Sequence, residues 1–394
     1  VSRDAEDRKL PSTDVEEFRP VVDDDVVDDL VARLRHVKLP AVRAFDDWAM
    51  GTPVSFASDL VHSWATEFDF DDHRTRLQAL PHFRVRIEGA WTHFLHARSP
   101  HPEARPIIIT HGWPSSFLEM VPLLDRLTRP EEHGGRREDA FHVVVPSMPG
   151  FAYSDALESI PELTAASIAD RWRSLMSSLG YDSFWASGTD IGARVTAWLA
   201  VRHHDAVLGA HVSTNALTPT RTPGVHDGTL SEEEESWLRR MAEWSESEGA
   251  YHHLQGTKPL TVALACADSP LALAAWVSEK WHDWSTLDLT SPATRTDLLS
   301  LLTLYWTTGS FGSSVLHYYA HDLPPGPRPT RAMRSAPLSV YASRDEIGGT
   351  PPRSIADRQY HHPRWSVLPR GGHFVALEEP DLLVADIRAF ARQS

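Results

Sequence analysis

Over the first 80 residues the apolar positions recur at helical spacing, and from residue 82 they condense into short strand-like runs. In DDDVVDDLVARLRHVKLP (23–40), Val27, Leu30, Val31 and Leu34 share one face; acids open the segment, bases close it and Pro40 stops it. A single apolar face predicts a helix that packs on something else. Residues 1–19 are polar and read as loose, while 41–80 carry tryptophans and read as mostly helical. Residues 1–80 are therefore expected to form an N-terminal extension wrapping a core.

HFRVRIEGAWTHFLHARS (82–99) alternates around Glu88-Gly89 and reads as a hairpin. RPIIITHGW, FHVVVPSMPG, SFWASGTD and AVLGAHVST each begin as a buried strand. Between them, IADRWRSLMSSLGY reads as an amphipathic helix with Ile168, Trp172, Leu175 and Leu179 on one face and Gly180 as its cap. Buried strands alternating with helices indicate a mostly parallel central sheet flanked by helices, an α/β class. Residues 216–325 hold no buried-strand run and read as a helical lid, in which LSEEEESWLRR opens with a capping box, Ser231 and Glu234. PPGPRP (324–329) ends this insert; APLSVYASRD and RWSVLPRGGH resume the strands, and PDLLVADIRAF closes the chain as a helix. The core thus spans 81–215 and 326–394, with the lid at 216–325.

Composition narrows the function. The chain has 394 residues, 41% hydrophobic and 23% charged, enough for a large core. A net charge of −16 disfavours nucleic acid and anionic membrane as partners. The single cysteine, Cys266, suits a cytoplasmic location, and no apolar stretch reaches the ~18 residues of a membrane span.

The candidate chemistry starts at SGTDIGAR (187–194). A strand, a sharp Gly-x-X-x-Gly turn and a helix present a nucleophile at the turn, ordinarily serine; here the residue is Asp190. Asp345 and His373 follow in later strand-end loops, giving the chain order nucleophile, acid, histidine. His373 can act as base at neutral pH, with a carboxylate fixing its tautomer. A carboxylate nucleophile on an ester carbonyl would give an anhydride, whereas on saturated carbon it gives an ester that activated water can hydrolyse. Asp190 therefore points to epoxide opening or halide expulsion. The backbone N–H groups of Ile191 and Trp113 are the candidate oxyanion donors. Taken singly, a strand-end aspartate is a turn former and a histidine after Gly-Gly is structural. Their order, with HGWP upstream, carries the catalytic reading.

With these motifs on the page, the chain resembles the microsomal-type epoxide hydrolase family of the α/β-hydrolase superfamily, including that family's N-terminal extension. The resemblance runs through VVDDLVARLRHVKLP, ITHGWPSSFLEM, PSMPGFAYSD, GTDIGA, QGTKPLTVALACADSPLALAAWVSEKWHDWS, SSVLHYY and RGGHFVALEEPDLLVADIRAF, in that order. It implies an α/β-hydrolase fold and two lid tyrosines that hydrogen-bond and protonate the epoxide oxygen, here matched by Tyr251 and Tyr318. Tyr319 and Tyr305 are expected to be lid packing. The acid loop, SRDEIGGTPPRS, is about two residues longer than is usual for the family. A gapless reading from the strand selects Asp345, the preferred acid, whereas the Glu-Ile pattern selects Glu346 as the alternative. The microsomal relatives carry a membrane anchor, and none is expected here.

The resulting expectation is a cofactor-independent epoxide hydrolase that converts an epoxide and water into a vicinal diol through an ester on Asp190. A haloalkane dehalogenase and a non-catalytic binding protein of the same fold remain as alternatives. The histidine pairs at 203–204, 252–253 and 361–362 lack a third ligand at metal-binding spacing, and there is no phosphate-cradling glycine loop, so neither metal nor nucleotide is implied. Trp237, Trp244, Trp276, Trp281 and Trp284 in the lid would suit a bulky or aromatic epoxide. The arginine-rich composition would suit a GC-rich bacterium, with detoxification or natural-product biosynthesis as the expected setting. Oligomeric state is left open, with a homodimer as one candidate.

Overall fold

The computed structural model describes residues 15–41, 46–322 and 328–393. A nine-stranded sheet runs in the order β1-β2-β3-β5-β4-β6-β7-β8-β9. Its strands are β1 (Glu16–Glu17), β2 (His82–Ile87), β3 (Ala90–Ala97), β4 (Arg105–Thr110), β5 (Phe141–Pro146), β6 (Phe184–Gly188), β7 (Val207–Ser213), β8 (Leu338–Ser343) and β9 (Arg364–Leu368). The strands from β5 to β9 in that order pair in parallel, and β1 to β3 add an antiparallel edge. The β2–β3 hairpin turns at Glu88 and Gly89, both with positive φ, at 50° and 86°. Two successive left-handed residues give the turn the twist a tight hairpin needs.

Helices α1 (Asp24–Arg35), α2 (Val54–Thr66) and α3 (Phe70–Gln78) precede the sheet; α4 (Val121–Thr128), α5 (Ala165–Ser178) and α6 (Asp190–Arg202) flank its first part. The lid contains α7 (Glu232–Glu248), α8 (Ala250–Thr257), α9 (Pro259–Asp268), α10 (Pro270–Trp284), α11 (Pro292–Thr308), α12 (Phe311–Ser314) and α13 (Leu316–Asp322). The chain ends with α14 (Arg353–Gln359), α15 (Val375–Glu378) and α16 (Pro380–Ala391). Both predicted helix signals at the α5 and α7 ends are present. Gly180 follows α5 with φ +81°, and Ser231 and Glu234 form a reciprocal capping box. Among the described residues no helix is long and apolar enough to cross a membrane.

The extension bonds to the lid as well as to the core. Leu30, Leu34, Leu60 and Trp64 are buried, and burial of each such side chain contributes roughly 1.5–3 kcal/mol. The Trp64 indole N–H donates to Thr303 of α11 (3.0 Å), Arg33 donates to the Asp268 carbonyl (2.9 Å), and Thr52 donates to that of Ala275 (2.7 Å). The lid in turn bonds to the core loops that carry the site: Trp281 Nε1 to the Pro114 carbonyl (3.2 Å) and Tyr305 hydroxyl to that of Ser115 (2.8 Å). Glu16 and Glu17, in the stretch read as loose, pair with β2 as an edge strand, because β2 offers them a free antiparallel edge. Residues 1–14, and residues 324–327 of PPGPRP, lie outside the described residues.

Candidate active site

Asp190 is the first residue of α6, one residue after the end of β6, with φ +50°. That strained conformation turns its carboxylate out of the strand-to-helix corner. The corner closes only because its neighbours lack side chains. A Cβ on Gly192 would lie 2.2 Å from the Thr110 carbonyl oxygen, and one on Gly112 would lie 2.3 Å from the Asp190 Cβ.

The Trp113 backbone N–H donates to Asp190 Oδ1 (3.0 Å). The Ile191 amide sits in the first turn of α6, where helix geometry provides no intrahelical acceptor. His373 is buried. Its Nε2 lies 3.4 Å from Asp190 Oδ2, a long contact, and makes no well-formed hydrogen bond. Burial disfavours the Asp190 anion, but His373, the Trp113 N–H and Arg194 outweigh it and hold the carboxyl below its ordinary pKa. For His373, burial acts to lower the pKa, while the carboxylates of Glu346 and Asp190 overcome it and raise the imidazole well above its ordinary value.

One predicted position moves. The acid against His373 is Glu346, whose Oε1 lies 2.9 Å from Nδ1, and not Asp345. Asp345 is exposed; its backbone N–H bonds to the Gly371 carbonyl (3.1 Å) and its side chain faces solvent. The turn after β8 sends consecutive side chains to opposite sides. Glu346, the longer of the two, is the one that returns to the interior, at 8% exposure.

Tyr251 on α8 and Tyr318 on α13 are both buried, and their rings and that of Trp113 pack on one another. Trp113 stacks on Tyr251 (centroids 5.7 Å, 5°) and lies edge-on to Tyr318 (5.4 Å, 83°). The two phenol rings are 5.8 Å apart. Burial first, then Tyr251 and the Asp190 charge, push the Tyr318 phenol well above its ordinary pKa. Tyr319 is only half-buried, and Tyr305 bonds to the Ser115 carbonyl.

A cavity of about 600 Å³ opens above Asp190, Tyr251, Glu346 and His373. Of the lid tryptophans, Trp237 and Trp244 line it. Trp276 instead bonds to Gln255, Trp281 to Pro114, and Trp284 packs edge-on against His373. Sequence reasoning passed over three groups here. Arg194 lines the cavity one helical turn beyond Asp190. Lys280 sits 4.7 Å over the Tyr251 ring. Glu119 is buried in a second cavity of about 400 Å³, with Oε1 lacking a hydrogen-bond partner. The Glu inside SSFLEM was the available signal for the last of these. Among the described residues no three metal-ligating side chains cluster.

The fold and the elbow define an α/β-hydrolase with a carboxylate at the nucleophile position. Residues 15–120 match the family described as Epoxide hydrolase N terminus, and residues 105–255 match the alpha/beta hydrolase fold. The chain is 35% identical over 378 residues to a putative epoxide hydrolase of Stigmatella aurantiaca, covering 95% of this chain and 84% of that protein. It is 31% identical over 408 residues to epoxide hydrolase 1 of Oryctolagus cuniculus, covering 97% and 89%. Among solved structures it is similar to the Aspergillus niger epoxide hydrolase (TM-score 0.83, 29% identity, 97% of both chains). It is also similar to the juvenile hormone epoxide hydrolase of Bombyx mori (TM-score 0.84, 26% identity, 97% and 95%). The chain belongs to the epoxide hydrolase family and is a hydrolase of that class.

Proposed function

We propose that this enzyme opens its epoxide through a covalent ester on Asp190. The observation that carries the reading is the placement of the Asp190 carboxylate between the Trp113 N–H on Oδ1 and His373 Nε2 beside Oδ2. Oδ1 is held, so Oδ2 attacks an oxirane carbon. The ring C–O bond breaks, and the departing alkoxide takes a proton from the Tyr251 or Tyr318 phenol. Burial makes the Tyr318 phenol a weak acid, so it releases a proton only as strong negative charge develops on the oxygen.

Ester formation also prepares the second step. It neutralises one of the two carboxylates that raise the His373 pKa, so the imidazolium can pass its proton to the phenolate left by ring opening, which restores the tyrosine. Neutral His373, oriented by Glu346, then takes a proton from water as the oxygen of that water attacks the Asp190 carboxyl carbon. The Trp113 and Ile191 amides stabilise the resulting oxyanion. Collapse expels the diol oxygen, which takes the carboxyl proton, so the vicinal diol leaves, Asp190 returns as the carboxylate and His373 as the imidazolium. No cofactor takes part. The tryptophans on the cavity wall support a bulky or aromatic epoxide as substrate.

A single turnover in heavy-oxygen water tests the ester. The diol should carry ordinary oxygen and Asp190 the label; label in the first-turnover diol would rule the mechanism out.

A further inference from the structure

Arg194 is among the groups lining the cavity that the general mechanism leaves unused. Arg194 is half-buried and lines the same cavity as Asp190 and His373. It stands one turn further along α6, close enough for its charge to act on the Asp190 carboxyl. Its one hydrogen bond to protein is long, from Nε to the Asn215 carbonyl (3.4 Å). Among the described residues no carboxylate forms an ion pair with it. The rest of the guanidinium fork is thus left for a ligand.

A second donor lies beside it. Asn215 also lines the cavity, and its Oδ1 accepts from the Ser213 hydroxyl (2.6 Å), which leaves its amide N–H₂ to donate elsewhere. A planar guanidinium with an adjacent amide donor suits a carboxylate, which can accept from both. The Asp190 carboxylate is already served by the Trp113 N–H and by His373, so it does not need Arg194 as its main partner. The chain as a whole carries a charge of −16, which repels anions, so an anionic substrate would need a local cation inside the cavity.

We infer that the substrate is an epoxide bearing a carboxylate, which Arg194 and Asn215 bind while Asp190 attacks the oxirane. The inference rests on the epoxide-opening reading given above. It names the part of the substrate that does not react. Binding energy from such a remote group holds the oxirane carbon in line with Asp190 and should appear in kcat/KM.

The test compares 4-(oxiran-2-yl)benzoate with its methyl ester, following diol formation at low ionic strength. The enzyme should favour the carboxylate at least tenfold in kcat/KM, and the ratio should shrink as salt is added. Arg194→Met should bring the ratio close to one and Arg194→Lys should restore part of it; taking a ratio cancels any general loss of activity. If Arg194→Met does not fold, inhibition of the unaltered enzyme by benzoate against benzamide makes the same comparison, with benzoate expected to bind more tightly. Equal turnover of carboxylate and ester, or a preference that survives in Arg194→Met, overturns the inference and leaves the epoxide-opening reading standing. No diol from either compound or from styrene oxide overturns both.

Discussion

Glu346 Oε1 lies 2.9 Å from Nδ1 of His373, leaving Nε2 of the same ring directed at Asp190. A carboxylate on one nitrogen fixes the tautomer, so the other nitrogen is the one that can accept a proton. The neighbouring Asp345 faces solvent and has no part in this arrangement.

Replacing the two acids separately should therefore give unequal results. Glu346→Gln should slow hydrolysis of the Asp190 ester by about 10²-fold or more, within the usual range for general-base assistance. Asp345→Asn should stay within about twofold, as expected for an exposed residue away from the chemistry. Intact-mass analysis during turnover would show the ester accumulating in the first variant alone.

Titration of His373 provides a second check. In the resting protein its pKa lies well above 6.5, because Glu346 and Asp190 overcome the effect of burial. The folded state thus holds this proton more tightly than the unfolded chain does. The stabilisation is complete below pH 6.5 and is lost as pH rises through the raised pKa. Asp190→Asn and Glu346→Gln should each lower that pKa, followed by the imidazole NMR signals. An unchanged value in Asp190→Asn would remove the argument that ester formation frees the base.

The two lid phenols should act before the ester forms. Tyr251→Phe and Tyr318→Phe should each raise the barrier to alkylation of Asp190 by about 2–4 kcal/mol, by analogy with loss of one oxyanion donor. They serve one oxygen atom, so the double variant should fall short of the sum. Rapid-quench measurement of alkylation checks this, with Tyr319→Phe expected to behave as the unaltered enzyme.

Glu119 should reveal itself in stability. Burial raises its carboxyl from 4.5 to about 7. The folded state therefore keeps a proton that the unfolded chain releases, and stability falls as pH rises from 4.5 towards 7. A shift of this size corresponds to a loss on the order of 3 kcal/mol by neutral pH. Glu119→Gln should remove that slope, so thermal melts of variant and parent should separate progressively with pH, the variant being the more stable. Parallel melting curves from pH 4.5 to 8 would show that Glu119 is not the group responsible.

The sequence by itself determined the elements and the order of the chemistry. The spacing of Leu30 and Leu34, the alternation around Glu88-Gly89 and the runs in β4 to β7 are local patterns, written by burial of one helix face or both sheet faces. The Gly-rich elbow carrying Asp190, and the histidine after Gly371-Gly372, were legible because tight backbone approach restricts which residues can stand there. Tertiary structure alone decided between Asp345 and Glu346, since the direction of a side chain in an irregular loop depends on what packs beneath it. It alone packed Trp113 against both Tyr251 and Tyr318, joining a core loop to two lid helices far apart in the chain. It also turned the extension toward the lid through Trp64 and Thr303. Arg194 looked like an ordinary helix residue; only closure of the lid over α6 gave its charge a cavity to face. Periodicity records which face of an element is buried, but not which partner buries it, and the partner is what makes a site.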